Sequence, residues 1–494
     1  FVCVPCRRGV SCSLPEKRKQ RADIIMNQIV WSDRQMNRLP IFSVCCMFLV
    51  IFAGCSREKP GGAGQSAARD VVNVTTVLST IADDEKPPQV FPGHEGASGA
   101  PNQAAFFDAV FSESGRGVAY TVEKNKKFYV VHNNTRGKQY ASVGNVVLSS
   151  DGRRIAYGAL VEGKWCMVVD GREGRPYDTV LTPLFSPNGQ HVAYQAKEGE
   201  KWYIVVDDRP NAGTIASYTA PEFSSDSALI AYVEAAASNS EMKLIVSDLT
   251  FSKQSVKWSI GDLLFITNPE KTRIAAAHVV DSKLRIIDFS FSKPDVVREG
   301  PLYDVIEQLT FSDVGSSLSY CALRGRKRLI VLDDREEPFP EGRLQELPVV
   351  RPDKKGVGVL LTSHDRFFLH QAFLNSNEKS KEYDEAANLT YSRDGRYAYA
   401  ARKGQHWFVV VNGKEGPQFD RTVKPVFSAD GKYLVYRARK DGKRFVVVAD
   451  ANGTTISQHP AYEQVFQPVF TADGTSVAYG VKDGNNLVWK VEKL

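Results

Sequence analysis

The sequence predicts an all-β fold, a β-propeller of about ten four-stranded blade-like repeats, on three observations. Helix-rich composition is absent, and Gly, Pro, Tyr, Phe and Val are frequent. Asp-Gly and Asn-Gly pairs, which accept the positive φ of tight hairpin turns, fall at regular intervals. A short motif built on an aromatic or large aliphatic residue returns every 36 to 46 residues. That is the period of a four-stranded blade and longer than that of most helical repeats.

Residues 185–208 show the repeat most clearly. Phe185 ends a short apolar strand, Pro187-Asn188-Gly189 turns the chain, and residues 192–196 run back. After a second turn at Glu198-Gly199-Glu200, the run from Trp202 to Val206 is almost unbroken in its apolar character, as expected of a strand covered on both faces. Ten anchors share this register: Phe111, Leu148, Phe185, Phe223, Phe265, Phe311, Val350, Tyr391, Phe427 and Phe470. Gly stands four places after the anchor in seven repeats, as at Gly115 and Gly431, and Tyr nine places after it in seven, as at Tyr157 and Tyr320. An aromatic stands eight places before it in six, as at Tyr140 and Phe419.

Each position has a physical reading. The Gly closes the first hairpin. The anchor and the later Tyr are one hairpin apart and are expected to lie together where one blade packs on the next. Third strands such as Phe408-Val409-Val410-Val411 are apolar on both faces because a blade is sandwiched between two others. Turns follow at Asp170-Gly171, Asp333-Asp334, Asn412-Gly413 and Asp450-Ala451, and a fourth strand passes through Tyr177-Asp178 or Phe419-Asp420.

The pattern in Phe185-Ser186-Pro187-Asn188-Gly189 and Phe427-Ser428-Ala429-Asp430-Gly431 resembles the WD40-like (PD40) repeat of TolB-type propellers. The resemblance covers about residues 105–494 and is weak from Phe223 to His370. It implies protein–protein contact without pointing to a particular partner. About ten repeats exceed the four to eight blades typical of propellers, so we expect one large ring, with two tandem rings as the alternative. The last repeat ends after its third strand, and the segment Phe106-Phe107-Asp108 is expected to supply the missing fourth.

The N-terminal region reads differently. Residues 1–55 hold eight Lys or Arg and three acids; removing them from 63 and 57 leaves 55 basic and 54 acidic residues downstream, a nearly neutral body. The electrostatic footprint of a nucleic-acid binder is missing, and no nucleic-acid partner is expected. Residues 36–54 combine a cationic start at Arg38, an apolar run of about a dozen residues and small residues before Cys55, and resemble a bacterial lipoprotein signal peptide. The resemblance implies cleavage before Cys55 and lipid attachment there, with membrane contact through that anchor only. It also places the protein in the bacterial cell envelope, on the outer membrane facing the periplasm. The apolar run is shorter than the ~20 residues that span a bilayer. Residues 1–35 are read as an upstream extension, and residues 55–104, rich in Pro and Gly, as the lipidated Cys and a flexible tether. The β-branched island from Val71 to Ile81 is left open, as an extra strand or an addition to the edge of the body.

No motif carries catalytic chemistry. The histidines of the body, His132, His191, His278, His364, His370, His406 and His459, occupy non-equivalent repeat positions, whereas converging metal ligands would share one. No Gly-x-Ser-x-Gly elbow is present outside the tether, where Gly96-Ala97-Ser98-Gly99 has the wrong spacing. Cys166 and Cys321 read as buried free thiols. The basic clusters Arg324-Gly325-Arg326-Lys327-Arg328 and Arg437-Ala438-Arg439-Lys440 fall at hairpin turns, as a solvated rim or a polar binding face. The expectation is a lipid-anchored, non-enzymatic binding or scaffold module for a protein or an envelope polymer. No catalytic, cofactor or metal residues are assigned. The alternative is an envelope hydrolase or lyase with its site in the central channel.

Overall fold

The computed structural model describes residues 73–85, 89–90, 106–107, 109–212, 215, 219–235, 242–313, 315–374 and 380–494. All of them belong to one compact body, Phe52–Leu494. Residues 1–35, the segment 36–54 and Cys55 lie outside the described residues. Every regular element described is a β-strand.

Repeat one pairs Ala109–Phe111, Val118–Lys124, Lys127–His132 and Thr135–Arg136 in that order. Repeats two, six, eight and nine take the same four-stranded antiparallel form. Repeat three splits its first strand into Thr179–Val180 and Leu184–Phe185, both paired with Val192–Glu198. Repeats four and five share a strand: Gln254–Thr267, 14 residues long, is the outer strand of one and the inner strand of the other, and it fuses them into a seven-stranded sheet. This sharing blurs the sequence pattern in the middle of the chain.

Apolar clusters join each repeat to the next. Cys166 and Val168 pack with Ala119 and Val130, Ala275 and Ile286 of repeat five pack with Tyr303 and Phe311, and Leu487 of repeat ten packs with Ala109, Val118 and Tyr120 of repeat one. Among the described residues no cluster joins repeat five to repeat one, so the repeats close as a single ring and two tandem rings are set aside. The anchor and the later tyrosine do lie in one cluster against the preceding repeat, as Phe311 with Tyr320 and Phe427 with Tyr436, and the tyrosine has a further neighbour. It meets the aromatic eight places before the anchor, edge to face, as in Tyr140–Tyr157 at 6.3 Å, Tyr303–Tyr320 at 5.8 Å and Phe419–Tyr436 at 6.3 Å between ring centroids. The fourth strand expected through Phe419-Asp420 is reduced there to an isolated bridge, Trp407 with Phe419.

In five repeats the first turn is held by a hydrogen bond from a Ser or Thr hydroxyl to an Asp two residues on, part of a short cycle. In repeat nine, Ser428 Oγ donates to Asp430 Oδ1 (2.7 Å) and accepts from the Tyr433 amide (3.0 Å), while Asp430 Oδ1 accepts from the Lys432 amide (3.1 Å). Ser149 with Asp151, Ser224 with Asp226, Ser392 with Asp394 and Thr471 with Asp473 repeat it. The residue four after the anchor is left-handed even without Gly: Ser227 has φ 61° and Lys354 φ 60°. In repeat five that residue is Lys271, φ 54°, which moves the anchor from Phe265 to Thr267 and puts Asn268 in the serine's place, accepting from Arg273 N at 2.7 Å.

The serine hydroxyl lowers the Asp430 carboxyl to about 2 and holds those of Asp151 and Asp226 below the usual range. Depressed carboxyl pKa values contribute stability that is present above the unfolded value of about 3.9 and lost as pH falls through the folded values. The thermal midpoint is therefore expected to fall as pH drops from about 4 towards about 2. Replacing Ser428 by Ala should lower the midpoint above about pH 4 and make that decline shallower, read by circular dichroism melts at stepped pH.

The ring is not closed by Phe106–Phe107, which pairs with Gln89–Val90 instead. The closing strand is Val74–Thr80, antiparallel to Asn486–Lys493 with Val74 opposite Val491 and Val77 opposite Val488. The body therefore takes in residues 73–85, which the sequence pattern assigns to the tether, and within the open island Val74–Thr80 becomes the last repeat's fourth strand. A strand uncovered on its outer side needs only a β-branched run and an apolar inner residue, here Leu78, so it carries no trace of the repeat motif.

At the same seam Phe111 stacks on Trp489 (5.9 Å) and tilts against Phe466 (4.8 Å). Gly115 has φ 67°, and a Cβ there would lie 2.0 Å from Trp489 Nε1. Gly115→Ala is expected to cost about 2–4 kcal/mol by urea unfolding, from left-handed strain plus a forced shift of the indole.

Candidate functional site

Because every repeat runs through its strands in the same order, all hairpins between second and third strands emerge on one face of the ring. The tips are tight turns with left-handed residues, such as Asn125-Lys126 and Asp441-Gly442. The acid after the outer aromatic reaches the next repeat's tip: Asp178, Asp304 and Asp384 each accept from the amide of Gly199, Gly325 and Gly404 respectively, at 2.6 Å. This recurring bond explains the aromatic-acid pair in the sequence.

Charge at the tips is compensated in most repeats. Lys124 pairs with Asp84, Lys164 with Asp178, Arg366 with Asp384 and Lys482 with Glu463. The cluster at Arg324 is partly neutralised, since both its Nη atoms bind the Glu336 carboxylate at 2.7 and 2.8 Å. In repeat eight Arg402 pairs with Glu385 at 2.7 Å.

Repeat nine differs. The strand register sets Arg421 opposite Arg439 and Arg439 opposite Arg444, with Lys440 opposite Lys443 one step further out. Three guanidinium-bearing residues thus stand in one row across three neighbouring strands, an arrangement that like-charge repulsion opposes. Among the described residues no carboxylate lies within ion-pair distance of Arg439, Arg444, Lys440 or Lys443. Burial and the charge of Arg439 hold the Arg444 pKa below its usual value. The row is flanked by aromatic rings: Arg421 lies over Trp407 at 4.4 Å, and Arg444 forms a backbone bridge with Tyr462 and donates through Nη1 to Glu463 O at 2.7 Å. The sequence showed this cluster as Arg437-Ala438-Arg439-Lys440 but not its alignment with Arg421 and Arg444, which depends on strand register.

The inner strands facing the channel bulge at Gln308, Asn388 and Lys424, all with positive φ. Their polar groups are used within the wall. Glu346 accepts from the Asn388 amide at 2.8 and 2.9 Å, burial raises its carboxyl pKa, and Asn388 Oδ1 accepts from the Lys424 amide at 3.1 Å. Histidines serve local contacts: His191 Nδ1 lies 2.6 Å from Asp207, and buried His459 lies 2.5 Å from Glu492 and 3.1 Å from the Tyr479 hydroxyl. Among the described residues no group of three or more His, Cys, Asp or Glu is placed to hold a metal. Cys166 and Cys321 are buried free thiols, and burial pushes the Cys321 thiol up to about 12.

The stacked antiparallel sheets, closed first to last, define a β-propeller protein. No family model and no curated protein matches the chain. Similar solved structures include a crystal structure of the eukaryotic initiation factor, with TM-score 0.42 and 12% identity over 71% of this chain and 97% of that one. TolB from Acinetobacter baumannii gives TM-score 0.26 and 14% identity over 55% and 78%. An oligogalacturonate lyase in complex with manganese gives TM-score 0.33 and 14% identity over 79% and 96%.

Proposed function

We propose that this propeller is a non-enzymatic binding module of the cell envelope, held to the membrane by a lipid on Cys55, and that its hairpin-tip face takes an anionic protein or envelope polymer. The observation that carries the reading is the row Arg421, Arg439 and Arg444 in repeat nine, where like charges are aligned and, among the described residues, no carboxylate pairs with Arg439 or Arg444. An anionic partner would relieve that repulsion on binding, and guanidinium groups accept carboxylate or phosphate in a bidentate manner.

The test is binding of polyglutamate and of alginate, as acidic peptide and acidic polysaccharide probes, to the immobilised chain. Arg439→Glu combined with Arg444→Glu is expected to weaken binding at least about tenfold, a loss of about 1.4 kcal/mol or more. Arg324→Glu in repeat six should change it little, and raising salt should weaken the wild type. The double variant leaves positions 439 and 444 like-charged but turns the pair of positions 421 and 439 attractive, so it should fold about as well as the parent. Binding of neither probe, or equal binding by both variants, would sink the proposal.

A further inference from the structure

We propose that repeats five and six bind one water molecule between them, held by the Tyr320 hydroxyl, the Ile286 carbonyl and the Asp334 carboxylate. It completes a contact that other repeats make with a side chain. At several junctions the buried tyrosine nine places after an anchor meets a residue on or just after the outer strand of the preceding repeat. Ser79 Oγ, on the closing strand of repeat ten, lies 3.3 Å from Tyr120 Oη. His459 Nδ1, just after the outer strand of repeat nine, lies 3.1 Å from Tyr479 Oη. Where repeat two offers Gly174, Tyr194 Oη donates instead to Asp208 Oδ1 at 3.2 Å, and that oxygen fills the place of the missing Cβ, 2.3 Å from where it would stand.

Between repeats five and six neither partner is offered. Gly300 takes the place of His459: its amide donates to Ile286 O at 2.9 Å, as the His459 amide donates to Val446 O at 2.9 Å. Asp334, the counterpart of Asp208, accepts through Oδ2 from Arg298 at 2.5 Å. Tyr320 is 1% exposed, and among the described residues its hydroxyl has no hydrogen-bond partner. The hydroxyl of neighbouring Tyr303 is given to Glu336 at 2.7 Å. A buried hydroxyl left unmet is costly, so the junction calls for a further polar atom.

The space for that atom is there. Tyr320, Gly300, Ile286 and Asp334 line a cavity of about 10 Å³, close to the least that one water needs. A carbon on Gly300 would stand 3.2 Å from Asp334 Oδ1, 3.5 Å from Ile286 O and 3.6 Å from Tyr320 Oη, so three oxygens converge on one point. Three polar partners are the usual number for a buried water. The charges around the cavity favour a neutral occupant. Arg298 answers Asp334, Arg273 answers Asp288, and Asp333 Oδ1 accepts from the Leu318 amide at 2.9 Å.

A high-resolution crystal structure of the full chain is expected to show one density peak about 2.7–3.2 Å from Tyr320 Oη, Ile286 O and Asp334 Oδ1. No peak there, or one standing about 2.3–2.6 Å from its oxygens as a calcium ion does, overturns the proposal. Tyr320→Phe should lower the urea midpoint by about 0.3 M, because the water loses a partner. Deleting a hydroxyl that bonds to nothing would leave the midpoint unchanged or raise it, and that result also overturns the proposal. In a Gly300→Ala background, where the methyl group takes the water's place, Tyr320→Phe should no longer lower the midpoint. An equal loss in both backgrounds has the same force against the proposal. The crystal structure uses the unaltered chain, so a variant that does not fold leaves that test standing.

Discussion

A chain that starts at residue 105, the body boundary read from the sequence, is expected not to give a stable, cooperatively folded protein. Removing Val74–Thr80 strips repeat ten of its fourth strand along Asn486–Lys493. The residues just after the strand are lost with it. Ile81 is buried between repeats ten and one, Ile81 N donates to Asn485 O at 2.8 Å, and Thr80 N donates to Asn134 Oδ1 at 2.7 Å. Burial of Ile81 and Leu78, at about 1.5–3 kcal/mol per side chain, with the lost bonds, puts the cost at about 5 kcal/mol or more. Domain stabilities are about 5–15 kcal/mol, so this loss is enough to open the ring. A chain starting at residue 73 should keep the parent's urea midpoint, while one starting at 105 should show no cooperative transition or a midpoint far below it. Equal midpoints would show that the closing strand is dispensable.

Glu85→Ala is expected to be the most damaging single substitution of a charged residue. Glu85 is 6% exposed and its carboxylate accepts from Tyr129 Oη (2.9 Å), Arg136 Nε (2.5 Å) and the Ala82 amide (2.9 Å). One side chain thus ties the segment after the closing strand to the third and fourth strands of repeat one. Truncation leaves the buried Tyr129 hydroxyl without its acceptor, and the expected loss is about 3 kcal/mol. Glu85→Gln should cost less, because the amide oxygen still accepts. Burial works to raise the Glu85 carboxyl pKa, but the Ala82 amide, Arg136 and Tyr129 outweigh it and leave the pKa lowered. The contribution of Glu85 is then present above the unfolded value of about 4.3 and disappears as pH falls through the folded value. The stability gap between wild type and Glu85→Gln, followed by urea unfolding, should narrow below about pH 4. A gap that is absent at neutral pH or constant with pH would show that Glu85 has no such role.

Much of the repeat was legible because its chemistry is local. Ser428, Asp430 and Gly431 specify their turn within six residues, and nine of the ten anchors stand where the structure places the end of a first strand. Repeat five was misread by two residues because Lys271 takes the left-handed position usually given to Gly, and because Gln254–Thr267 serves two repeats. The candidate site was half legible. Arg439 and Lys440 stood out as a cluster, but unpaired charge is a statement about neighbours, and Arg324 lies in a denser cluster that Glu336 answers in part, by pairing with Arg324.

By itself the sequence determined the strand content, the turn chemistry, the number of anchors and the neutral balance of the body, since each follows from residues close together in the chain or from counting. Only the tertiary structure decided which strand closes the ring and which basic tip aligns like charges. Val74 meets Val491 across more than four hundred residues, and Arg421, Arg439 and Arg444 meet only once three strands are in register. Pairing over such separations is set by the closure of the whole ring, and a local pattern carries no record of it.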